Sequence, residues 1–218
     1  RGADLILQEG NLRLGGEVVS QEYNAPSVTL RLSEPETAAR SKALYIGTHE
    51  TGGVRQVNRA LFAFDLDPVR EILRSGAGGV KAVSLVLTTA SGNERFPSGK
   101  STFEALLSAP FDAAEATWNN PGPDHPAGGI AHERLSTAAL DGRIALKPGE
   151  QLVFDGKDWT IAFRDAIHSS QEHFVVMVRR VAEDASRVRG YFFRPADDSF
   201  HHSSGAIDWR PALVVELE

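Results

Sequence analysis

The sequence predicts an all-β protein, an antiparallel β-sandwich of jelly-roll type with one or two short helices. About ten short segments alternate apolar and polar residues, and clusters of Gly, Pro, Asn and Asp separate them at regular spacing. The chain has 218 residues, of which 41% are hydrophobic and 24% charged, which is ordinary for a globular chain with a sizeable core. Because sandwiches of this size often form one unit, residues 1–218 are predicted to be a single domain.

The N-terminal part contains four modest strand candidates and one better one. Residues 27–32 place Val28, Leu30 and Leu32 on one face, which is the period of two typical of a half-buried strand. Shorter apolar runs predict strands at residues 4–7, 11–14, 17–19 and 42–47. The turn at residues 48–53 predicts that the last of these pairs as a hairpin with the strand that follows.

Residues 58–68 carry the clearest structural pattern in the chain. They read NRALFAFDLDP, with apolar side chains at every second position from Ala60 to Leu66. Asp67-Pro68 ends this strand because proline has no N–H for the sheet and restricts the residue before it. Asp65 is interpreted as a carboxylate that caps the turn. A short helix at residues 69–74 and a strand at 80–89 are expected to follow.

The second half of the chain continues the same alternation. A strand at 100–107 precedes a long irregular section at 110–126, in which Trp118 is expected to anchor the loop to the core. Asp158 is the candidate N-cap of a short helix at 159–168. The remaining predicted strands are residues 143–146, 151–155, 174–181, 188–194 and 212–217.

Composition excludes several function classes. The formal net charge of −6 provides no global positive field for nucleic acid, and no apolar run is long enough to predict membrane insertion. The absence of cysteine removes disulfides, thiolate metal sites and cysteine nucleophiles.

No GxSxG elbow accompanies Ser169-Ser170, and the protein is therefore predicted not to be an enzyme. The abrupt start at Arg1-Gly2 predicts a segment taken from a longer chain.

Five short motifs occur in an order that resembles a known family. They are an arginine-led strand ending in Phe-Asp-Leu (59–66), Ser-Leu-Val-Leu (84–87), Thr-Trp-Asn-Asn-Pro (117–121), Phe-Asp with a short helix (154–168), and Arg-Pro-Ala-Leu-Val-Val (210–215). From about Tyr45 onward the chain resembles the bacterial DNRLRE-type domains and the related carbohydrate-binding module family ninety-six. The resemblance implies a jelly roll from an exported multidomain bacterial protein, secreted or at the cell surface, that binds polysaccharide without catalysis.

Arginines crowd the last third of the chain and supply the candidate ligand site. If their strands are adjacent, Arg179, Arg189 and Arg194 line one face with Tyr191, and planar guanidinium groups suit the carboxylates of acidic sugars. Trp209 is the best candidate for a sugar-stacking platform because its loop is polar. The alternative is that Glu183 and Asp184 pair with these arginines at the surface.

A structural calcium ion is the candidate cofactor. Asp197, Asp198 and Asp208 lie in one polar segment near the C-terminus, and Asp4 near the N-terminus would meet them if the chain ends are close. The spacing matches no EF-hand, so a solvated loop with Asp and Ser turn caps is the alternative. Adjacent His201-His202 do not predict zinc, because neighbouring side chains point apart.

The sequence therefore favours a monomeric, non-catalytic carbohydrate-binding module, with acidic polysaccharide as its partner. A structural or adhesive spacer of the cell surface that binds no glycan is the alternative, and a lyase or hydrolase is a third, less favoured hypothesis. An enzyme would need a cleft that holds a base with a strongly shifted pKa. A spacer would have no surface that combines basic and aromatic side chains.

Overall fold

The computed structural model confirms the predicted antiparallel β-sandwich. It describes residues 3–38, 44–90, 100–130, 132–141, 149–183, 189–194 and 209–218, and for residues 49, 51, 100, 141 and 189–192 it describes the backbone alone. The strands are β1 (Asp4–Gln8), β2 (Asn11–Leu14), β3 (Glu17–Ser20), β4 (Ser27–Arg31), β5 (Leu44–Thr51), β6 (Val54–Asp65), β7 (Val80–Thr88), β8 (Lys100–Leu107), β9 (Arg134–Asp141), β10 (Gln151–Phe154), β11 (His173–Arg180), β12 (Arg189–Phe193) and β13 (Ala212–Leu217). The helices are α1 (Asp67–Arg74) and α2 (Lys157–His168).

The strands form two sheets, and the chain crosses between them repeatedly. The first sheet has the order β10-β7-β13-β1-β2-β3, so its N-terminal and C-terminal strands lie side by side. The second has the order β12-β5-β6-β11-β8-β9, and β4 also pairs with β6. The predicted hairpin of β5 with β6 is confirmed, with Thr51 opposite Val54. Strands distant in sequence therefore become neighbours in both sheets.

The alternation of β6 divides the second sheet into an inner and an outer face. Ala60, Phe62 and Phe64 are buried in the main core between the sheets. Leu61, on the other parity, belongs to a separate buried cluster on the outer face. We call this the outer cluster; its buried members are Val28, Leu30, Val57, Leu61, Leu106, Ala116, Trp118 and Met177.

Residues 108–130, the outer loop, cover this outer face. Trp118 is only 9% exposed, and the guanidinium carbon of Arg59 lies 4.4 Å from its ring centroid. The Arg59 guanidinium also donates to the carbonyl of Gly128 and, through Nε, to Oε1 of Glu183 at 2.8 Å. The prediction that Trp118 anchors the loop is confirmed.

The structure corrects two predictions at element boundaries. The N-cap of α2 is Gly156 and makes no side-chain cap hydrogen bond, so Asp158 lies in the first turn and is not the N-cap. Strand β9 was not predicted, because small residues dilute its alternation and, among its described side chains, only those of Leu135 and Leu140 are buried. Pairing with β8 defines that strand. The predicted strand at 143–146 lies outside the described residues.

Candidate functional site

The turn between β6 and α1 positions the first wall of the candidate site. The backbone N–H of Asp67 donates to Oδ1 of Asp65 at 3.0 Å, which confirms the capping role predicted for Asp65. Pro68 lies in the first turn of α1, where a missing N–H costs nothing. Val69 is fully buried in the main core and fixes the rotation of the helix.

Helix α2 provides the second wall. Its buried residues are Trp159, Phe163 and Ala166, and the Trp159 Nε1–H donates to Oγ of Ser136 at 2.8 Å. The ring of Phe163 meets that of Phe174 edge to face, with centroids 5.2 Å apart. These contacts hold one side of α2 against the core, and Arg164 and His168 are exposed.

Arg70 of α1 joins the two helices. Its guanidinium donates to the carbonyl oxygens of Ala166 and Ile167 in the last turn of α2 and to those of Ser169 and Gln171 just after it, at 2.6–3.0 Å. The last carbonyls of a helix lack intrahelical partners and carry partial negative charge, so a cation stabilises this end. Arg70 also pairs with Asp67 at 2.8 Å. Arg70 therefore links α1 directly to the C-terminal end of α2.

A groove of about 610 Å³ lies between the helices, and we call it the helix groove. Leu73, Ile167 and Val80 supply its apolar lining. The cationic and titratable side chains along it are Arg70, Arg74, Arg164 and His168.

The charges in the helix groove are only partly neutralised. Arg164 donates to the carbonyl of Val80, and its Nη2 lies 3.7 Å from Oε1 of Glu218, with 47% of its side chain exposed. Arg74 is exposed and makes no hydrogen bond or ion pair with any described residue. His168 donates from Nδ1 to the Arg164 carbonyl at 2.7 Å. Among the described residues that line the groove, Glu218 is the one acidic side chain.

The predicted arginine face does not form as expected. Arg179 lies in β11 and Arg194 directly after β12, and β5 and β6 separate these strands in the sheet. Arg179 bonds to Oε1 of buried Glu104 at 2.6–2.7 Å and lies 3.8 Å from Glu183. The assumption of adjacent strands was wrong, and the alternative of pairing with Glu183 holds for Arg179.

Two other predicted ligand residues do come together. The guanidinium carbon of Arg194 lies 5.3 Å from the ring centroid of Trp209, which is half-buried. Gly149 packs on the same indole, since a Cβ built there would lie 2.9 Å from ring carbon Cζ2. The backbones of Arg189 and Tyr191 lie in β12 opposite Thr48 and Ile46, and their side chains are outside the described part.

The calcium hypothesis stays a prediction. Asp4 begins β1, is exposed and pairs in register with Glu216. Asp197, Asp198 and Asp208 lie outside the described residues. Within the described ranges, no group of three or more His, Cys, Asp or Glu side chains is arranged to hold a metal ion.

The sequence reasoning missed the helix groove, although a signal was present. Arg70 and Arg74 are four residues apart, as are Arg164 and His168, so each pair lies on one face of its helix. That two such faces line one groove depends on the packing of α1 beside α2, which neither helix specifies alone.

Comparison with known proteins adds no functional information. No protein-family model matches the chain, and no curated protein matches its sequence. The resemblance to the DNRLRE-type domains therefore stays a prediction. Among the described residues, no helix is long and apolar enough to span a membrane.

Proposed function

We propose that this protein is a non-catalytic binding module for acidic polysaccharide and that the helix groove binds a carboxylate-bearing sugar. The observation that carries the proposal is the exposed, unpaired guanidinium of Arg74 in a groove where Arg164 remains half-exposed. Guanidinium groups bind carboxylates through two parallel hydrogen bonds. In a protein with a net charge of −6, this groove is a local cationic site for an anionic ligand.

The rest of the lining fits the same ligand class. Leu73 and Ile167 present apolar surface to the C–H face of a sugar ring, and His168 has an Nε2 without a partner among the described residues. The resemblance to carbohydrate-binding modules favours the same function, as does the lack of a recognisable catalytic signature.

Affinity electrophoresis in gels that contain polygalacturonate, alginate or a neutral glucan tests this proposal. We expect the wild type to be retarded by at least one of the two acidic polymers and not by the glucan. The variant Arg74→Gln/His168→Gln should lose most of this retardation. Arg31→Gln removes one positive charge outside the groove and is the matched control, which should migrate like the wild type after correction for charge.

Two outcomes would contradict the proposal in different ways. Retardation that persists in the groove variant but disappears in Trp209→Ala would move the site to the Arg194–Trp209 pair. A wild type that none of the polymers retards would overturn the binding function itself. The spacer hypothesis would then be the better explanation.

A further inference from the structure

Among the described residues that line the helix groove, His168 is the one whose side-chain type changes charge near neutral pH. Its Nδ1 lies 2.7 Å from the carbonyl oxygen of Arg164. Because a carbonyl can only accept, Nδ1 carries the proton of the neutral ring and Nε2 holds a lone pair. The ring is exposed, so a ligand in the groove meets an acceptor when His168 is neutral and a charged donor when it is protonated.

Three guanidinium groups share the groove with His168. Arg70 and Arg74 line it from α1, and Arg164 lies one turn before His168 on α2 itself. A nearby like charge disfavours the protonation of an imidazole, whereas the partly negative carbonyls at the C-terminal end of α2 favour it. An anion that binds these guanidinium groups would therefore make it easier for His168 to take up a proton.

Two acidic side chains lie in or beside the groove, and neither fully offsets the guanidinium groups. Glu218 follows β13, and its Oε1 lies 3.7 Å from Nη2 of Arg164, beyond hydrogen-bond distance. Asp165 precedes His168 by three residues on α2 and is exposed, so solvent screens its charge. A carboxylate that accepts hydrogen bonds from the guanidinium groups would offset them more completely.

We infer that the helix groove binds a carboxylate-bearing sugar together with a proton on His168, so that affinity rises as the pH falls from about 8 to about 5.5. This inference rests on the function proposed above. Protonated Nε2 donates to the ligand carboxylate, whereas the lone pair of the neutral ring repels it. Carboxylic acids titrate near pH 4, so the ligand keeps its charge across this range. By linkage, the ligand favours the protonated ring as strongly as the proton favours the ligand.

Isothermal titration calorimetry with short oligomers of galacturonate and of alginate, at about pH 5.5, 6.5 and 8, tests the coupling. We expect the affinity of the wild type to fall about tenfold or more across this range, because a charged hydrogen bond is lost. His168→Gln should bind weakly and almost equally at the three pH values. His168→Lys, which is charged throughout, should bind tightly and almost equally. His173→Gln removes a histidine of β11 outside the groove and, as the matched control, should keep the wild-type pH dependence.

The outcomes separate the coupling from the proposed function. A wild type that binds neither oligomer at any of these pH values would overturn the function and the coupling together. Binding whose pH dependence persists in His168→Gln would overturn the coupling and leave the function in place; if it then disappeared in Glu218→Gln, that carboxylate would be the titrating group. Nitrogen NMR of the ring without ligand is an independent test, since a neutral His168 protonated at Nε2 would contradict the geometry on which the coupling depends.

Discussion

The outer face of the second sheet and the helix groove each contain three arginines, but the partners of these arginines differ between the two regions. On the outer face, Arg59, Arg134 and Arg179 bond to Glu104 and Glu183, which we call the outer ion network. In the helix groove, Arg70 and Arg164 donate mainly to backbone carbonyls, although Arg70 also pairs with Asp67 and Arg164 lies 3.7 Å from Glu218. Arg74 is exposed.

This difference is the basis for proposing the helix groove, and not the outer face, as the anion site. A carboxylate both accepts the hydrogen bonds of a guanidinium and cancels its charge. A carbonyl is a dipole without net charge, so it satisfies the N–H groups and leaves most of the positive charge in place. The arginines of the outer ion network are therefore paired with acids inside the protein, and the anion-binding role proposed for the helix groove depends on the weaker pairing of its arginines. Counting arginines along the sequence does not distinguish the two.

The largest expected effect is on the outer ion network. Glu104 is 1% exposed and bonds to Arg134 and Arg179, so Glu104→Ala should lower the free energy of unfolding by about 3 kcal/mol. Urea denaturation measures this change. The matched control is Glu216→Ala, whose exposed pair with Lys81 should contribute less than about 1 kcal/mol. Equal effects of the two variants would contradict the view that burial makes the outer network structural.

A smaller effect on stability should distinguish Arg70 from Arg74, the two arginines that α1 contributes to the groove. Arg70→Gln removes charged hydrogen bonds to four carbonyls at the end of α2 and should destabilise the protein by about 2 kcal/mol. Arg74→Gln should cost less than about 1 kcal/mol, because Arg74 only interacts with the dipole of its own helix. Thermal unfolding of both variants provides the comparison. If Arg74→Gln were as destabilising as Arg70→Gln, Arg74 would be structural and not available for a ligand.

The smallest expected effect on stability concerns Tyr23, a buried hydroxyl that lies near negative charges instead of positive ones. Burial, and then the nearby Asp65 and Glu9, raise the pKa of Tyr23 well above 10, and its hydroxyl donates to the Asp65 carbonyl at 2.7 Å. An unfolded tyrosine ionises near pH 10, so the unfolded state loses a proton first and stability should fall as the pH rises above about 10. Tyr23→Phe should cost about 1 kcal/mol at neutral pH and flatten this alkaline decline. Urea titrations from pH 8 to 11 measure both; an equally steep decline in the variant would contradict the assignment.

Much of the fold was predictable because its signals are local. Alternation in β6, the stop at Asp67-Pro68 and the turn cap of Asp65 each depend on residues within a few positions of one another. The anchoring role of Trp118 in the irregular section was also predicted, because a tryptophan in a long polar segment usually packs against the core. Strand β9 was missed, since its small side chains leave the local pattern weak and pairing with β8 decides it.

The candidate site, in contrast, could not be predicted from local sequence signals. Arg179 was predicted to bind a ligand. In the folded protein it instead donates to the carboxylate of Glu104, which lies 75 residues earlier in the chain. Arg74 was not singled out, and the packing of α1 against α2, roughly ninety residues later in the chain, places it in a groove.

The sequence by itself therefore determined the class of fold, most of the strands and the negative net charge of −6. Only the tertiary structure decided which cations are neutralised and which helices share a groove. The physical reason is the distance along the sequence over which each kind of interaction acts. Burial patterns and turn chemistry act between near neighbours, whereas ion pairs and pockets depend on strand order and helix docking, which bring together residues such as Arg59 and Glu183 that are 124 positions apart.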